Sequence, residues 1–315
     1  GADTIDARNS LGFGIFLGEG GADVIALGSA SEFASGGEGN DSFSGSFGFD
    51  TIDGGSGIDS LNLNLGPVWQ YVAVDISIAY AGYVGIDNGV AASATRIFNI
   101  ELLRLSERND VLTNWINGPV VYGGGGNDWM ADYASVNNAA GAGNNDWMFG
   151  EDGDDGLYGL EGDDNLYGGM GRDVLVGGTG ADRLSGDLGT DWIALGLNPA
   201  GTAGDGSADV VLFASRWDSW DPGRAGLDAV LQFETGLDRL DLSAIDANTT
   251  LAGDQAFTLG ALAAGQAGRL QITTPAGQSW TLVQADVDGD GAADLTVIVY
   301  GATGQAMLTA GDFVL

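Results

Sequence analysis

GEDGDDGLY, GLEGDDNLY, GGMGRDVLV, GGTGADRLS and GDLGTDWIA, residues Gly150–Ala194, are one nine-residue unit written five times in tandem. Each opens with glycine. The fourth place is glycine again, at Gly153, Gly162, Gly171, Gly180 and Gly189. The sixth is an acid, at Asp155, Asp164, Asp173, Asp182 and Asp191, and the eighth is a large apolar residue. Even a chain with 56 glycines does not produce five tandem matches at one period by composition alone.

Extended backwards, the same frame runs through GAGNNDWMF, DYASVNNAA, GGGGNDWMA, NWINGPVVY and LSERNDVLT, so that ten units fill Leu105–Ala194, some of them decayed. Five more occupy Gly18–Asn62: GEGGADVIA, LGSASEFAS, GGEGNDSFS, GSFGFDTID and GGSGIDSLN. The eighth places are apolar throughout, from Ile25, Ala34, Phe43, Ile52 and Leu61 to Leu112, Val121, Met130, Ala139, Met148 and the five that follow. Flanked by mixed or polar seventh and ninth places, they predict a short strand with one buried face. The six glycine-rich residues before each strand predict a turn. No single unit can bury its own strand, so stacking must supply the stability. The expected fold is all-β: a right-handed parallel β-roll in two blocks, two units to a coil, with an antiparallel β cap.

Four segments are expected: a first roll block at 1–62, a β insertion at 63–104, a second roll block at 105–194 and a cap at 195–315. The insertion carries longer alternating strands and reads as covering or continuing the roll. Beyond Ala194 the nine-residue spacing breaks up, leaving one repeat-like turn, GDGSADVVLFAS, before a run of strands and short turns. The chain opens at GADTIDA, inside a repeat-like unit, and reads as the C-terminal part of something longer or a processed form of it.

Composition narrows the function. Of 315 residues, 44 are acidic against 10 arginines, with no lysine, for a net charge of −34. That excess argues against nucleic acid and anionic membrane surfaces as partners. With 44% hydrophobic residues, the chain is also no acidic disordered tail. Cysteine and histidine are absent, which removes disulfides, thiolate and imidazole metal sites, and the Ser-His and Cys-His nucleophile pairs. No apolar run reaches membrane-spanning length; Leu61–Val84 is broken by Gln70 and Asp75.

With two units per coil, acids eighteen apart stack on one edge. The first block places Asp23, Asp41 and Asp59 on one edge, facing Glu32 and Asp50. The second is expected to place Asp110, Asp128, Asp146, Asp164 and Asp182 on one edge and Pro119, Asn137, Asp155, Asp173 and Asp191 on the other, the second edge failing at its start. Carboxylates stacked at roughly 4.8 Å cannot all stay charged unless a cation sits among them. Calcium suits the donors: carboxylates plus the carbonyls that glycine turns expose, in flexible geometry. Magnesium demands tighter octahedral geometry, and transition metals favour the His and Cys this chain lacks. The sixth-place acids and fourth-place glycines are therefore the candidate ligands of several Ca²⁺ ions.

Two smaller features stand beside them. Asp286, Asp288 and Asp290, with Gly291 and Asp294, imitate the first half of an EF-hand loop; its twelfth place is Val297 rather than Glu, and its flanks read as strands. They are either a further metal site or an Asp/Gly hairpin turn. Trp129, Trp147 and Trp192 at the seventh place, and Phe149, Tyr158 and Tyr167 at the ninth, should point out of the roll and form a contact surface, unless the insertion or cap covers them.

These units resemble the RTX (repeats-in-toxin) proteins of Gram-negative bacteria, whose nonapeptide is GGxGxDxUx; GGEGNDSFS, GGSGIDSLN, GGGGNDWMA, GGMGRDVLV and GGTGADRLS match it throughout. From Asp209 on, ADVVLFAS, LDAVLQFETGLDRLDLSAIDA, ADVDGDGAADLTVIVYG and the final GDFVL resemble the C-terminal domain of serralysin-type proteases. The resemblance implies a Ca²⁺-binding roll, a secreted, extracellular or cell-surface location, and export by type I secretion machinery reading a C-terminal signal. It does not carry protease activity over, because the zinc motif HExxHxxGxxH needs histidine. The expected function is a non-catalytic export and stability module that folds on meeting calcium. Two other classes remain compatible: a self-assembling surface-layer, adhesin or matrix protein, and a polysaccharide-binding accessory module of a secreted hydrolase or alginate epimerase, binding cell-surface glycan.

Overall fold

The eighth place turns inward in each described unit, and the strand around it is three residues long at Ser42–Ser44 but runs on through the first-place glycine at Gly156–Glu161 and Asn165–Gly171. The structure, a computed structural model, describes all residues except 11, 29, 46–49, 64–70, 79–80, 88–92, 99, 106–108, 114–119, 132–144, 198–203, 220–226, 303 and 306. Two compact units result, Gly1–Asp152 and Gly153–Leu315. Among the described residues the only helical element is a 3₁₀ turn at Ala310–Asp312, and no helix is long and apolar enough to cross a membrane.

In the first unit, Thr4–Asp6, Val24–Ala26, Ser42–Ser44, Ser60–Asn62, Leu102–Arg104, Val120–Gly125 and Trp147–Asp152 form a parallel sheet. The opposite sheet is parallel over Gly14–Leu17, Glu32–Glu38, Thr51–Ser56 and Ser93–Phe98. It turns antiparallel through Ala81–Asp87 and Tyr71–Ile78, and is parallel again through Val111–Thr113 and Trp129–Ala131. The segment at 63–104 thus continues the roll. Its last strand, Leu102–Arg104, takes the next rung after Ser60–Asn62.

The second unit is built the same way. Asn165–Gly171, Arg183–Gly189, Val210–Leu212, Arg239–Asp241 and Phe313–Val314 are parallel. Facing them, Gly156–Glu161, Val174–Thr179, Trp192–Ala194, Asp228–Phe233 and Leu295–Gly301 are parallel as well. Antiparallel pairing enters only with Trp280–Asp286, Arg269–Thr273 and Gly304–Gln305. The nine-residue spacing therefore stops at Ala194 while the coil itself goes on to Leu240 and Phe313.

One rung corrects the sequence frame. Val121 pairs with Met148, twenty-seven residues on, where eighteen was expected. The unit DYASVNNAA, with Asn137 and Ala139, falls in the stretch 132–144 outside the described residues, and the ladder closes without it. Asp146 consequently lies on the Val121 side of the roll, while Asp110 and Asp128 lie on the Leu112–Met130 side. The expected edge running from Asp110 through Asp128 to Asp146 is therefore broken at Asp146.

The core is a column of eighth places. Ile25, Ala34, Ile52, Leu61, Leu112, Val121, Met130, Met148, Leu157, Leu166, Leu175, Leu184 and Ile193 are wholly buried, and Phe43 nearly so. Each contributes about 1.5–3 kcal/mol if large, and Leu27, Leu63, Leu105, Leu195, Phe213 and Leu242, two places beyond column residues, are buried beside them. Truncating a column residue should leave a cavity that this close-packed interior fills only in part. Leu175→Ala is expected to cost about 2–5 kcal/mol in urea unfolding at saturating calcium; a loss below about 1 kcal/mol would show that the column is not the packed core.

Candidate metal centre

Each sixth-place acid is drawn inward by the strand it precedes and is buried despite its charge. Asp23, Asp41, Asp59, Asp110, Asp146, Asp164, Asp173, Asp182 and Asp191 are no more than 1% exposed. Asp50 is the same, and Glu32, Asp128 and Asp155 are scarcely more exposed. One oxygen has a fixed task. The Asp23 N–H donates to Asp41 Oδ1 and the Asp41 N–H to Asp59 Oδ1, both at 2.8 Å. Glu32 to Asp50, Asp110 to Asp128, Asp155 to Asp173, Asp164 to Asp182 and Asp173 to Asp191 repeat the link at 2.7–2.9 Å.

The other oxygen has no such task. Oδ2 of Asp23, Asp41, Asp59, Asp173, Asp182 and Asp191 is buried with no hydrogen-bond partner, as is Glu32 Oε1. Unpaired buried carboxylate oxygens cost several kcal/mol each unless something else neutralises them. They lie in a cradle. A Cβ on Gly36 would run into Asp41 Oδ2 and the Gly54 carbonyl oxygen, and one on Gly168 into Asp173 Oδ2 and the Gly186 carbonyl oxygen. The first-place glycine leaves room where carboxylate and carbonyl oxygens from successive coils converge. At Gly123 the carbonyl is that of Gly150, consistent with the twenty-seven-residue rung. The fourth-place glycines Gly153, Gly162, Gly171 and Gly180 hold φ between 126° and 154°. A Cβ on Gly171, Gly180 or Gly189 would strike the carbonyl of the glycine one coil back.

The electrostatics follow from this burial. Loss of water raises the carboxyls of Asp173 and Asp182 to about 8; a backbone N–H pulls each down, and neighbouring acids push it up. Asp191 reaches about 10, from burial first and then the charge of Asp228. Asp59 and Glu32 are raised too, again chiefly by burial.

Four acids in the series escaped the nine-residue frame. The Asp59 N–H donates to Glu101 Oε2, forty-two residues on, at 2.8 Å. The Asp182 N–H donates to Asp209 Oδ1, the Asp209 N–H to Asp238 Oδ1 and the Asp191 N–H to Asp228 Oδ1. Burial raises Asp209 to about 8 and Asp238 to about 6. The signal was present as an acid two places before a buried apolar residue: Glu101 and Leu103, Asp209 and Val211, Asp228 and Val230, Asp238 and Leu240. Pro119 and Asn137 lie outside the described residues.

The EF-hand-like turn is assembled otherwise than its spacing suggested. Asp286, Asp288 and Asp294 bring carboxylate oxygens within 4.8 Å of one another. Asp290 instead accepts the Ala292 N–H and is exposed. Asp286 spends both oxygens on the N–H groups of Gly289 and Gly291, which is the work of a hairpin turn. Of the outward aromatics, Trp129 and Trp147 are 44% exposed and Trp192 is 55% exposed. Tyr158 and Tyr167 are half-buried. Tyr122 and Phe149 stack at 4.9 Å, with the Arg104 guanidinium 5.0 Å from the Tyr122 ring and paired to Glu151 through two bonds.

A two-sheet parallel roll whose glycine turns hold buried, stacked carboxylates is the architecture of an RTX-type repeat domain, a class that binds calcium. The chain belongs to the family of peptidase M10 serralysin C-terminal domains, whose family model matches residues 12–315. Among solved structures it is similar to the AlgE6R3 subunit from the Azotobacter vinelandii mannuronan C5-epimerase. The identity there is 23%, over 66% of this chain and 78% of that one, with a TM-score of 0.27. No curated protein matches the chain.

Proposed function

We propose that this chain is a calcium-folded module of a secreted protein: disordered where calcium is scarce, folded where it is plentiful, and without chemistry of its own. The observation that carries the reading is the set of buried carboxylate oxygens of Asp23, Asp41, Asp59, Asp173, Asp182 and Asp191, each lacking a hydrogen-bond partner, with glycine carbonyls beside those of Asp23, Asp41 and Asp173. Those acids, with Asp50, Asp110, Asp128, Asp146, Asp155 and Asp164 at the equivalent place, would hold Ca²⁺ together with carbonyl oxygens of the glycine turns. Calcium supplies positive charge to a chain of net charge −34, and it binds the folded form alone, so its concentration sets the stability. Type I secretion machinery is the fitting exporter, since a chain that stays unfolded in the cell can be threaded out. The destination is the exterior of a Gram-negative bacterium.

Far-ultraviolet circular dichroism of the full chain, titrated from excess chelator into millimolar calcium, tests this. A disordered spectrum should turn β-rich; a β-rich spectrum already present in chelator would contradict the reading. Asp209 offers a finer check, because its Oδ2 is also buried without a partner. Asp209→Asn keeps the acceptor for the Asp182 N–H and removes the charge. It should shift the calcium midpoint upward about fivefold or more, as losing one charged ligand does, and calorimetry showing an unchanged midpoint would exclude Asp209 from the ligand set.

A further inference from the structure

We propose that Arg104, Tyr122, Phe149 and Glu151 form a metal-independent clasp on the outside of the first unit. It ties three successive coils together where the edge of buried acids is interrupted, and it goes beyond the calcium reading above.

The interruption lies along one sheet. Asp23, Asp41 and Asp59, each two places before the inward apolar residue of its strand, are no more than 1% exposed. The next two strands of that sheet, Leu102–Arg104 and Val120–Gly125, bring no buried acid at the same place. Glu101 is exposed, and the residue two places before Val121 is Pro119, which offers neither a carboxylate nor an N–H. A buried acid returns at Asp146, before Met148. The steps from Leu103 to Val121 and from Val121 to Met148 therefore lack a pair of buried acids for an ion to join.

The outward residues of the same strands change in step. Along the register, the place after the inward residue is held by Ala26, Ser44 and Asn62, and then by Arg104, Tyr122 and Phe149. Short side chains give way to large planar ones where the buried acids stop. The planar groups are stacked. The Tyr122 and Phe149 rings lie 4.9 Å apart and 10° from parallel, and the Arg104 guanidinium lies 5.0 Å from the Tyr122 ring centre. Arg104 also reaches the third coil: its Nη2 and Nη1 donate to Glu151 Oε1 and Oε2 at 2.8 and 3.0 Å. Trp147 adds a ring 6.3 Å from that of Phe149.

Residues forty-seven apart in sequence are thus joined across three strands by side chains. The Arg104 and Glu151 side chains are 37% and 31% exposed, so water screens their charges and the ion pair by itself contributes little. The rings beneath it supply stacking and a cation–π contact, and the two-pronged bond fixes the guanidinium in place. The clasp works as a set.

Hydrogen exchange of the full chain in saturating calcium, read peptide by peptide, tests this. Arg104→Ala and Tyr122→Ser are each expected to speed exchange about fivefold or more in Leu102–Arg104, Val120–Gly125 and Trp147–Asp152, and to leave Ser42–Ser44 unchanged. Arg104→Lys should stay closer to Arg104→Ala than to the parent chain, because an ammonium has no planar fork. Calcium equivalents counted by calorimetry should be the same in every variant as in the parent. Protection unchanged in both Arg104→Ala and Tyr122→Ser overturns the clasp. So does the loss of a calcium equivalent, which would make the group part of a metal site. A parent chain that binds no calcium overturns the calcium reading and leaves the clasp standing, provided its variants still lose protection.

Discussion

Freed of calcium, the second unit is expected to be unfolded at pH 8 and to regain β structure as the pH falls toward 4. The sign follows from the direction of the shifts. Burial raises Asp173, Asp182 and Asp209 from 3.8 to about 8 and Asp191 to about 10, so the folded, ion-free form holds protons that the unfolded chain releases. Its stability is fully present below the unfolded value of 3.8 and is lost as the pH climbs toward about 8. At neutral pH, keeping one such carboxyl protonated costs about 4 kcal/mol, and several together exceed the roughly 5–15 kcal/mol that holds a domain together. Dichroism in chelator from pH 4 to pH 9 is the measurement, with a calcium-saturated sample in parallel. Equal or greater β content at pH 8 than at pH 5 in chelator would show that the buried acids are not what opposes folding.

The second large effect belongs to glycine. Gly171 holds φ of 141°, and a Cβ there would collide with the backbone carbonyl of Gly153, which cannot swing away as a side chain can. Gly171→Ala is expected to lower stability by roughly 3–5 kcal/mol, combining backbone strain with displacement of a neighbouring coil. Gly206→Ala separates the two causes. Its φ is 86°, but nothing lies within 4 Å of an added Cβ, so only the strain of about 1–2 kcal/mol applies. Thermal unfolding in saturating calcium compares them. Equal losses would mean that the close approach of coils contributes nothing.

Most of the fold was legible because two physical periods coincide in the sequence. The eighth place repeats every nine residues and the coil every eighteen, so Ile25, Phe43 and Leu61 could be set on one column before any coordinates. The carboxylate edge of Asp23, Asp41 and Asp59 followed from the same count. The count fails where the rung from Val121 to Met148 spans twenty-seven residues. DYASVNNAA has the length of a unit and an apolar Ala139 at its eighth place, yet lacks both the sixth-place acid and the glycines that make the turn. Counting alone does not register a rung of twenty-seven residues, so it sets Asp146 with Asp110 and Asp128 rather than on the Val121 side. Beyond Ala194 the opposite error occurred. The spacing changed while the turn chemistry persisted, so Asp209, Asp228 and Asp238 stood in plain view without a period to flag them.

The rung from Val121 to Met148 says something about what such a chain tolerates. Successive rungs are reached after eighteen residues from Ile25 to Phe43, forty-two from Leu61 to Leu103 and twenty-seven from Val121 to Met148. What these rungs share is the return of an inward apolar side chain, while the distance the chain travels in between varies. Loop length adds little entropic cost once a loop exists. The inward apolar residue therefore works as punctuation, and the length of text between two marks can vary. A segment of foreign sequence set within 132–144 would leave the strands Trp129–Ala131 and Trp147–Asp152 intact, and the rung from Val121 to Met148 should close as before.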